Sequence, residues 1–324
     1  FFEVATAENG PLVEKGEVYA FDDALIKDTS VPTMRQARGE LDYTQGDTQL
    51  VVRGSDVELV FDKAEGAIRS WKVKGKDMID PGFGLKPNYW RAPIDNDYGN
   101  YAPIRTQYFK EPSAPVDVQA VKENGTVVIR LTGKDVRQSE CYTVYPDGAI
   151  KIEVSTAPAG MPDVEIPRLG FRFRVAGNAF SYFGRGPLEN YWDRNSGSFK
   201  SIWKSEASKE YYPYVRPQET GHHTETSWLQ VDGLTVCAGE PFEFNALRLS
   251  VEDLDGGLRK SQTHLCDVRE EDFTEVCIDY KMSGVGGYDS WGSRPEKART
   301  LWADESYRYS FVLVPGKLAK KITY

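Results

Sequence analysis

Leu169-Gly170-Phe171-Arg172-Phe173-Arg174-Val175 sets a bulky apolar side chain at every second position, with glycine or arginine between. A period of two is that of a β-strand whose two faces meet different surroundings. The pattern recurs on both sides of this stretch. Val57, Leu59 and Phe61 carry it, as do Val127, Ile129 and Leu131. Ile150, Ile152 and Val154 follow the turn Pro146-Asp147-Gly148, and Tyr307, Tyr309, Phe311 and Leu313 close the series. Each run has Gly, Pro, Asn or Asp nearby, the residues that punctuate strands. No segment has the pattern of a long amphipathic helix, and residues 103–111 fit a short one. So many antiparallel strands predict an all-β fold, either a sandwich or a large twisted two-sheet assembly.

The 324 residues are 40% hydrophobic and 27% charged, a globular balance with a net charge of −9. An acidic surface repels phosphate backbones, which argues against a nucleic-acid partner. No apolar run approaches the roughly 18 residues of a membrane span. Cys141, Cys237, Cys266 and Cys277 show neither C-x-x-C nor zinc spacing, and read as buried free thiols on strands. They leave the redox compartment open, and the cytoplasm and periplasm both remain possible.

Residues 1–32 read as a few strands followed by the start of a linker, Asp28-Thr29-Ser30-Val31-Pro32, which continues through a charged stretch to Gln45-Gly46-Asp47. Such short strands cannot close a sheet unaided, so they are expected to be the end of a neighbouring domain. The main domain is expected over residues 45–320. The start Phe1-Phe2-Glu3-Val4 lacks both an initiator methionine and the features of a signal peptide, as expected of a piece of something longer.

Four segments break the alternation and concentrate polar and aromatic residues. The first is Asn88-Tyr89-Trp90-Arg91-Ala92-Pro93-Ile94-Asp95-Asn96-Asp97-Tyr98-Gly99. Its paired aspartates could bind a divalent cation, but the further ligands of a calcium loop are missing, and an Asx-turn network fits better. The second, Tyr182 to Arg194, contains Gly184-Arg185-Gly186-Pro187 and reads as a structural corner rather than a dinucleotide loop. Its Arg185, Glu189, Asp193 and Arg194 are expected to pair within it. The third, Pro213 to Glu225, holds His222 and His223, which point opposite ways on a strand and so suit a hydrogen-bonded scaffold better than a metal. The fourth is Met282-Ser283-Gly284-Val285-Gly286-Gly287-Tyr288-Asp289-Ser290-Trp291-Gly292, a glycine-rich loop presenting one large aromatic. A tryptophan so placed offers a flat face on which a sugar ring stacks. His264, on Thr263-His264-Leu265, is a possible base, though a structural role fits a lone histidine better.

No nucleophile motif is present. Glycoside cleavage needs two carboxyl groups flanking the bond, and no βα units are present to supply them from a barrel. The residues therefore argue against self-sufficient hydrolysis.

In order and spacing, the four segments resemble the C-terminal portion of glycoside hydrolase family 2 β-galactosidases, over roughly residues 45–315. The resemblance implies a galactose-mutarotase-like β-supersandwich, with residues 1–32 resembling the last strands of the preceding immunoglobulin-like domain. It implies that both catalytic glutamates lie in an upstream TIM barrel and that no catalytic residue lies here. Trp291, with Asp289, would support the sugar at the active-site mouth, and Asn96 and Asp97 would contact substrate there. Asp95, Gly99, Gly286 and Gly287 would shape the loops or act as hinges. One departure is Tyr288, where a second aspartate is common in the family. The resemblance implies no cofactor or metal ligand in this chain; magnesium and sodium would be held by the barrel. The implied partners are that barrel and a galactoside, and the apolar face left without the barrel predicts self-association. An independent carbohydrate-binding module is the alternative, and it predicts a preformed groove around Trp291. An aldose epimerase would need a paired acid and base in a motif that none of the three histidines carries.

Overall fold

In the computed structural model, which describes residues 2–22, 24, 39–111, 115–133, 139–289 and 291–316, the opening stretch forms the strand Arg168–Val175. Leu169, Phe171, Phe173 and Val175 are buried along it, as the alternation predicts. Arg172 and Arg174 lean the other way and pair with Glu275 on the neighbouring strand Thr274–Met282. The pairing is antiparallel, with Phe171 opposite Ile278 and Phe173 opposite Val276.

The described strands make four sheets, all antiparallel. The largest has 12 strands and branches. Its branch point is the 14-residue strand Leu234–Leu247. The first half, Leu234 to Cys237, pairs with Arg308–Pro315, and the second, Glu243 to Leu247, pairs with Thr274–Met282. Between the halves Gly239, Glu240 and Pro241 are exposed, and a proline there costs no ladder bond. The bend lets one strand serve two layers. Phe171 meets Phe311 and Tyr142 edge-on across the resulting core. A five-stranded meander from Asp42–Gln45 to Lys76–Asp77 adds Leu59, Phe61, Ile68 and Trp71 to the same core. Trp71 is fully buried and donates its indole N–H to Gly148 O at 3.1 Å, satisfying the one polar atom of a large apolar ring. Each such aliphatic or aromatic side chain adds about 1.5–3 kcal/mol by leaving water.

The short helix expected within 103–111 occurs as Ala102–Thr106 followed by the 3₁₀ turn Gln107–Phe109. Asp42–Gln45 is already a strand and Leu41 is buried, so the charged stretch running to Gln45 is not all linker. The order of the chain takes over because Tyr43 pairs with Val52 and anchors its ring hydroxyl on Ala120 O. Residues 25–38, which include Asp28 to Pro32, lie outside the described residues, as do residues 317–324 at the end of the expected domain. Phe2–Ala5 and Val18–Asp22 form a separate two-stranded sheet. Its Phe21 ring contacts Phe199 at 4.2 Å.

The four cysteines are free, but only Cys237 and Cys277 are buried. Cys141 is half-buried, and Cys266 is exposed on the 3₁₀ turn Leu265–Asp267 rather than in a strand. Its neighbours alternate in hydropathy without forming a sheet, which corrects the expectation of four buried thiols.

Candidate functional site

The four polar segments are sewn to one another by side chains. Strand Thr274–Met282 ends where the Met282 N–H donates to the buried carboxylate of Glu243 at 2.8 Å. Burial pushes that carboxyl up, but the hydrogen bond from His222 and the charge of Lys281 outweigh it and hold Glu243 below its ordinary range. The chain then runs into the glycine-rich loop. Gly284 N bonds Arg299 O at 2.7 Å, while Val285 N and Gly286 N donate to the two carboxylate oxygens of Asp193 at 3.1 and 2.7 Å. This ties the second segment to the fourth.

The first segment supplies a second tie. Arg91, buried, bonds both oxygens of Asp97 at 3.2 and 2.8 Å and also reaches the carbonyls of Ser283 and Gly284. Burial works against the guanidinium charge; Asp97 outweighs it and raises the Arg91 pKa above its ordinary value. Asn96 donates to Val285 O at 3.1 Å, and Asn100 to Ser293 O at 3.3 Å.

The third segment completes the circuit. Arg216 donates to Asp95 at 3.0 Å and to Pro93 O at 3.1 Å, and Gln218 exchanges hydrogen bonds with Asp95 at 3.1 and 3.2 Å. Burial raises the Asp95 carboxyl, but Lys260, Arg216 and Gln218 outweigh it and hold it low. Glu189 of the second segment accepts from Gly221 N at 2.8 Å and Thr220 Oγ1 at 3.0 Å. As a result, one cleft of about 170 Å³ draws lining residues from all four segments: Asn96 from the first, Tyr191 and Arg194 from the second, Gln218 and Glu219 from the third, Val285 from the fourth.

The tip of the loop stands clear of this circuit. Trp291 is 91% exposed and Tyr288 94%. Asp289, itself exposed, accepts from Trp291 N at 2.8 Å and Ser293 N at 3.3 Å, an Asx turn that sets the direction of the tip. Hydrogen bonding from the Trp291 N–H holds the Asp289 carboxyl below its ordinary value.

The residues expected at the site therefore take different parts. Trp291 and Asp289 lie at the exposed tip, Asp95 and Asn96 line the cleft. Asp97 is buried, and its carboxylate is engaged by Arg91 and by the Ile94 N–H at 3.0 Å, so it clasps the loop instead of facing a ligand. Gly99 ends the helical turn Asp95–Gly99 and shows no positive φ, so no hinge geometry marks it. Gly286 and Gly287 also keep ordinary φ; an added Cβ would come within 3.0 Å of Asp193 Oδ2 or of Ser293 O. Their missing side chains make room for a close approach; only Gly292, at φ +143°, uses glycine's conformational freedom in this loop.

Within the second segment, Arg194 pairs with Glu189 at 2.7 Å as expected. Asp193 instead crosses to the loop, and Arg185 reaches Glu225 of the third segment at 2.9 Å. His222 and His223 are fully buried on opposite sides of their strand, His222 against Glu243 and Asn245, His223 against Tyr182 and Glu210. His264 is exposed and caps nothing with its ring. Arg91 and Asp193 were not singled out by sequence for these roles. An arginine inside the otherwise apolar run Trp90 to Ile94 was the signal for the first; Asp193 stood out as a charge expected to pair within its own segment, with nothing to point to the backbone of Val285 and Gly286.

Comparison with known proteins finds relatives of the chain. The family model described as β-galactosidase small chain matches residues 53–313. A β-galactosidase of Priestia megaterium is 33% identical over 301 residues, covering 88% of this chain and 28% of that protein. The β-galactosidase small subunit of Latilactobacillus sakei is 26% identical over 311 residues, covering 82% of this chain and 95% of that one. The chain thus spans less than a third of the longer relatives. Among solved structures, a galactose 1-epimerase from Lactobacillus acidophilus NCFM is 7% identical and covers 86% of the chain at a TM-score of 0.44.

Proposed function

Because the chain belongs to the β-galactosidase small-chain family, we propose that it completes the active-site mouth of a family 2 glycoside hydrolase acting on terminal β-D-galactosides. In this reading the two catalytic carboxyls come from a larger part of the enzyme with a TIM barrel, and this chain hydrolyses nothing by itself. Any magnesium or sodium ion of the assembled enzyme is likewise assigned to that larger part. The observation that carries the reading is Trp291: its loop is clamped at the base by Asp193, Arg91 and Asn96, while the indole stands 91% exposed. A large aromatic ring held in water on a fixed stem gains by meeting a partner surface or a sugar face. Asp289 orients the tip, and Asn96 and Asp95 border the cleft that Val285 lines near the base of the loop. The alternative of an independent sugar-binding module requires a preformed groove around Trp291, and its exposure speaks against that.

The test is hydrolysis of a chromogenic β-galactoside by the purified chain, alone and mixed with a purified larger part of such an enzyme. Silence alone and turnover on mixing are expected. Turnover by the chain alone, persisting after further purification, would overturn the assignment of the carboxyls to another domain. The same mixture run through size-exclusion chromatography reads self-association of the chain and its replacement by the complex.

A further inference from the structure

His222 and His223 are adjacent and fully buried, yet their ring nitrogens meet different partners. At His222 both nitrogens face acceptors. Nδ1 lies 2.8 Å from Asn245 Oδ1, and Nε2 lies 3.0 Å from the Glu243 carboxylate. The Asn245 amide cannot be turned over. Its Nδ2 donates to Glu219 Oε1 at 2.8 Å and to Thr220 O at 2.7 Å, while its Oδ1 accepts from Arg168 Nη2 at 2.8 Å. Carboxylates and carbonyls only accept and a guanidinium only donates, so the atom facing Nδ1 is an oxygen with no proton to give. Nδ1 therefore donates. Glu243 is engaged as an anion, because the Met282 N–H at 2.8 Å and the Lys281 ammonium at 3.1 Å also donate to it. Nε2 therefore donates as well, and a ring that donates from both nitrogens is an imidazolium. His223 is the contrast. Its Nε2 faces Glu210 at 2.9 Å and its Nδ1 faces the Tyr182 hydroxyl at 2.9 Å, with Arg185 O farther off at 3.3 Å. Tyr182 is buried and its hydroxyl has no other partner among the described residues, so it donates to Nδ1 and one ring proton satisfies His223.

The charges around His222 point the same way. Strand Leu234–Leu247 supplies Glu243, strand Thr274–Met282 supplies Asp279 and Lys281, strand Arg168–Val175 supplies Arg168, and the third segment supplies Glu219. These three carboxylates stand against the two cations Arg168 and Lys281, and a charged His222 makes the cluster neutral. A buried charge left uncompensated is costly, so neutrality favours the imidazolium. Tyr191, which lines the cleft shared by the four segments, stacks on the His222 ring with centroids 5.3 Å apart and planes within 20°. An aromatic face attracts a cation at that range.

We infer that His222 carries a proton on each ring nitrogen and acts as a fixed buried cation. It is a positioning residue: it seats Tyr191 in the cleft wall and, through Glu243, the Met282 N–H from which the Trp291 loop departs. The charge state stands on the hydrogen bonds alone, whereas its value to the cleft rests on the proposed function.

The experiment is a long-range proton–nitrogen correlation spectrum of the histidine side chains, recorded on the full chain at about pH 7.5, where a histidine without such partners is mostly neutral. The chain has three histidines, so His222→Gln and His264→Gln assign the signals. Two protonated ring nitrogens are expected at His222 and one at His223. A bare ring nitrogen at His222 overturns the inference. Glu243→Gln removes the anion and is expected to return His222 to a single ring proton; two protons kept there would overturn the part given to Glu243. If that variant does not fold, the native spectrum still decides the charge. The positioning role is read in the mixture with the larger part of the enzyme. Tyr191→Leu removes the stacked ring and is expected to raise KM for a chromogenic β-galactoside about fivefold, to hold kcat within about twofold, and to leave the His222 spectrum as it was. A native KM overturns the positioning role. The spectra need no partner, so a mixture that turns over nothing refutes the proposed function and leaves the charge of His222 decided by the spectrum.

Discussion

Arg91 and Asp97 form a buried two-point ion pair, six residues apart in sequence, whose remaining donors hold the carbonyls of Ser283 and Gly284 almost two hundred residues later. The pair joins the start of a helical turn to the stem of the Trp291 loop. Asp97→Ala would leave the Arg91 charge buried and uncompensated, which costs about 3–5 kcal/mol. Urea unfolding of the variant should show a loss of that order. A loss below about 1 kcal/mol would mean that water reaches Arg91 and that the clasp is not closed in solution.

The loop glycines make a sharper steric prediction. A Cβ on Gly284 would sit 2.5 Å from Asp193 Oδ2 and 2.9 Å from Pro295 Cβ, whereas one on Gly197 meets nothing within 4 Å. Gly284→Ala is expected to destabilise by about 1–3 kcal/mol, the usual cost of overpacking. Gly197→Ala, the control, should stay within about 0.5 kcal/mol of the native chain. Equal thermal midpoints for the two variants would refute the close approach of Asp193.

Trp291→Ala separates stability from function. The ring is exposed, so unfolding of the isolated chain should change by no more than about 0.5 kcal/mol. In the assembled enzyme, loss of an aromatic platform worth on the order of 1 kcal/mol should raise KM about fivefold. A native KM in the mixture would remove Trp291 from the substrate path.

Acid sensitivity follows from Asp95 and Glu243. Both carboxyls are held below their ordinary values in the folded chain: burial opposes this, and the bonds to Lys260 and Arg216 at Asp95, and from His222 at Glu243, outweigh it. A depressed folded pKa contributes stability that is fully present above the unfolded value of about 4, and is lost as pH falls through the folded value. Stability should therefore decline below about pH 4, and Asp95→Asn should flatten part of that decline. Chemical unfolding across that window checks it; a slope unchanged in Asp95→Asn would show that its partners do not hold it low.

Much of the fold was legible because strand alternation is local. Leu169, Phe171 and Phe173 are buried as their spacing predicts, and so are Val57, Leu59 and Phe61. The boundary near residue 45 was less so: Asp42–Gln45 is polar, and only its pairing with Gln49–Arg53 makes it a strand. Of the candidate site, the four segments were recognisable by composition and order, yet the division of labour inside them was not. Asp95 and Asp97 look alike in sequence; one lines a cleft and the other is buried under Arg91.

The sequence by itself determined the period-two strands, the glycine-rich loop that carries Trp291 and the family to which the segments belong, because each is read from short stretches of chain and from their order. The tertiary structure alone decided which charges meet. Asp193 binds the backbone of Val285 and Gly286, and Arg91 holds Ser283 and Gly284. Those pairings span tens to hundreds of residues. They are set by where a 14-residue strand bends between two layers, a geometry that no local pattern encodes.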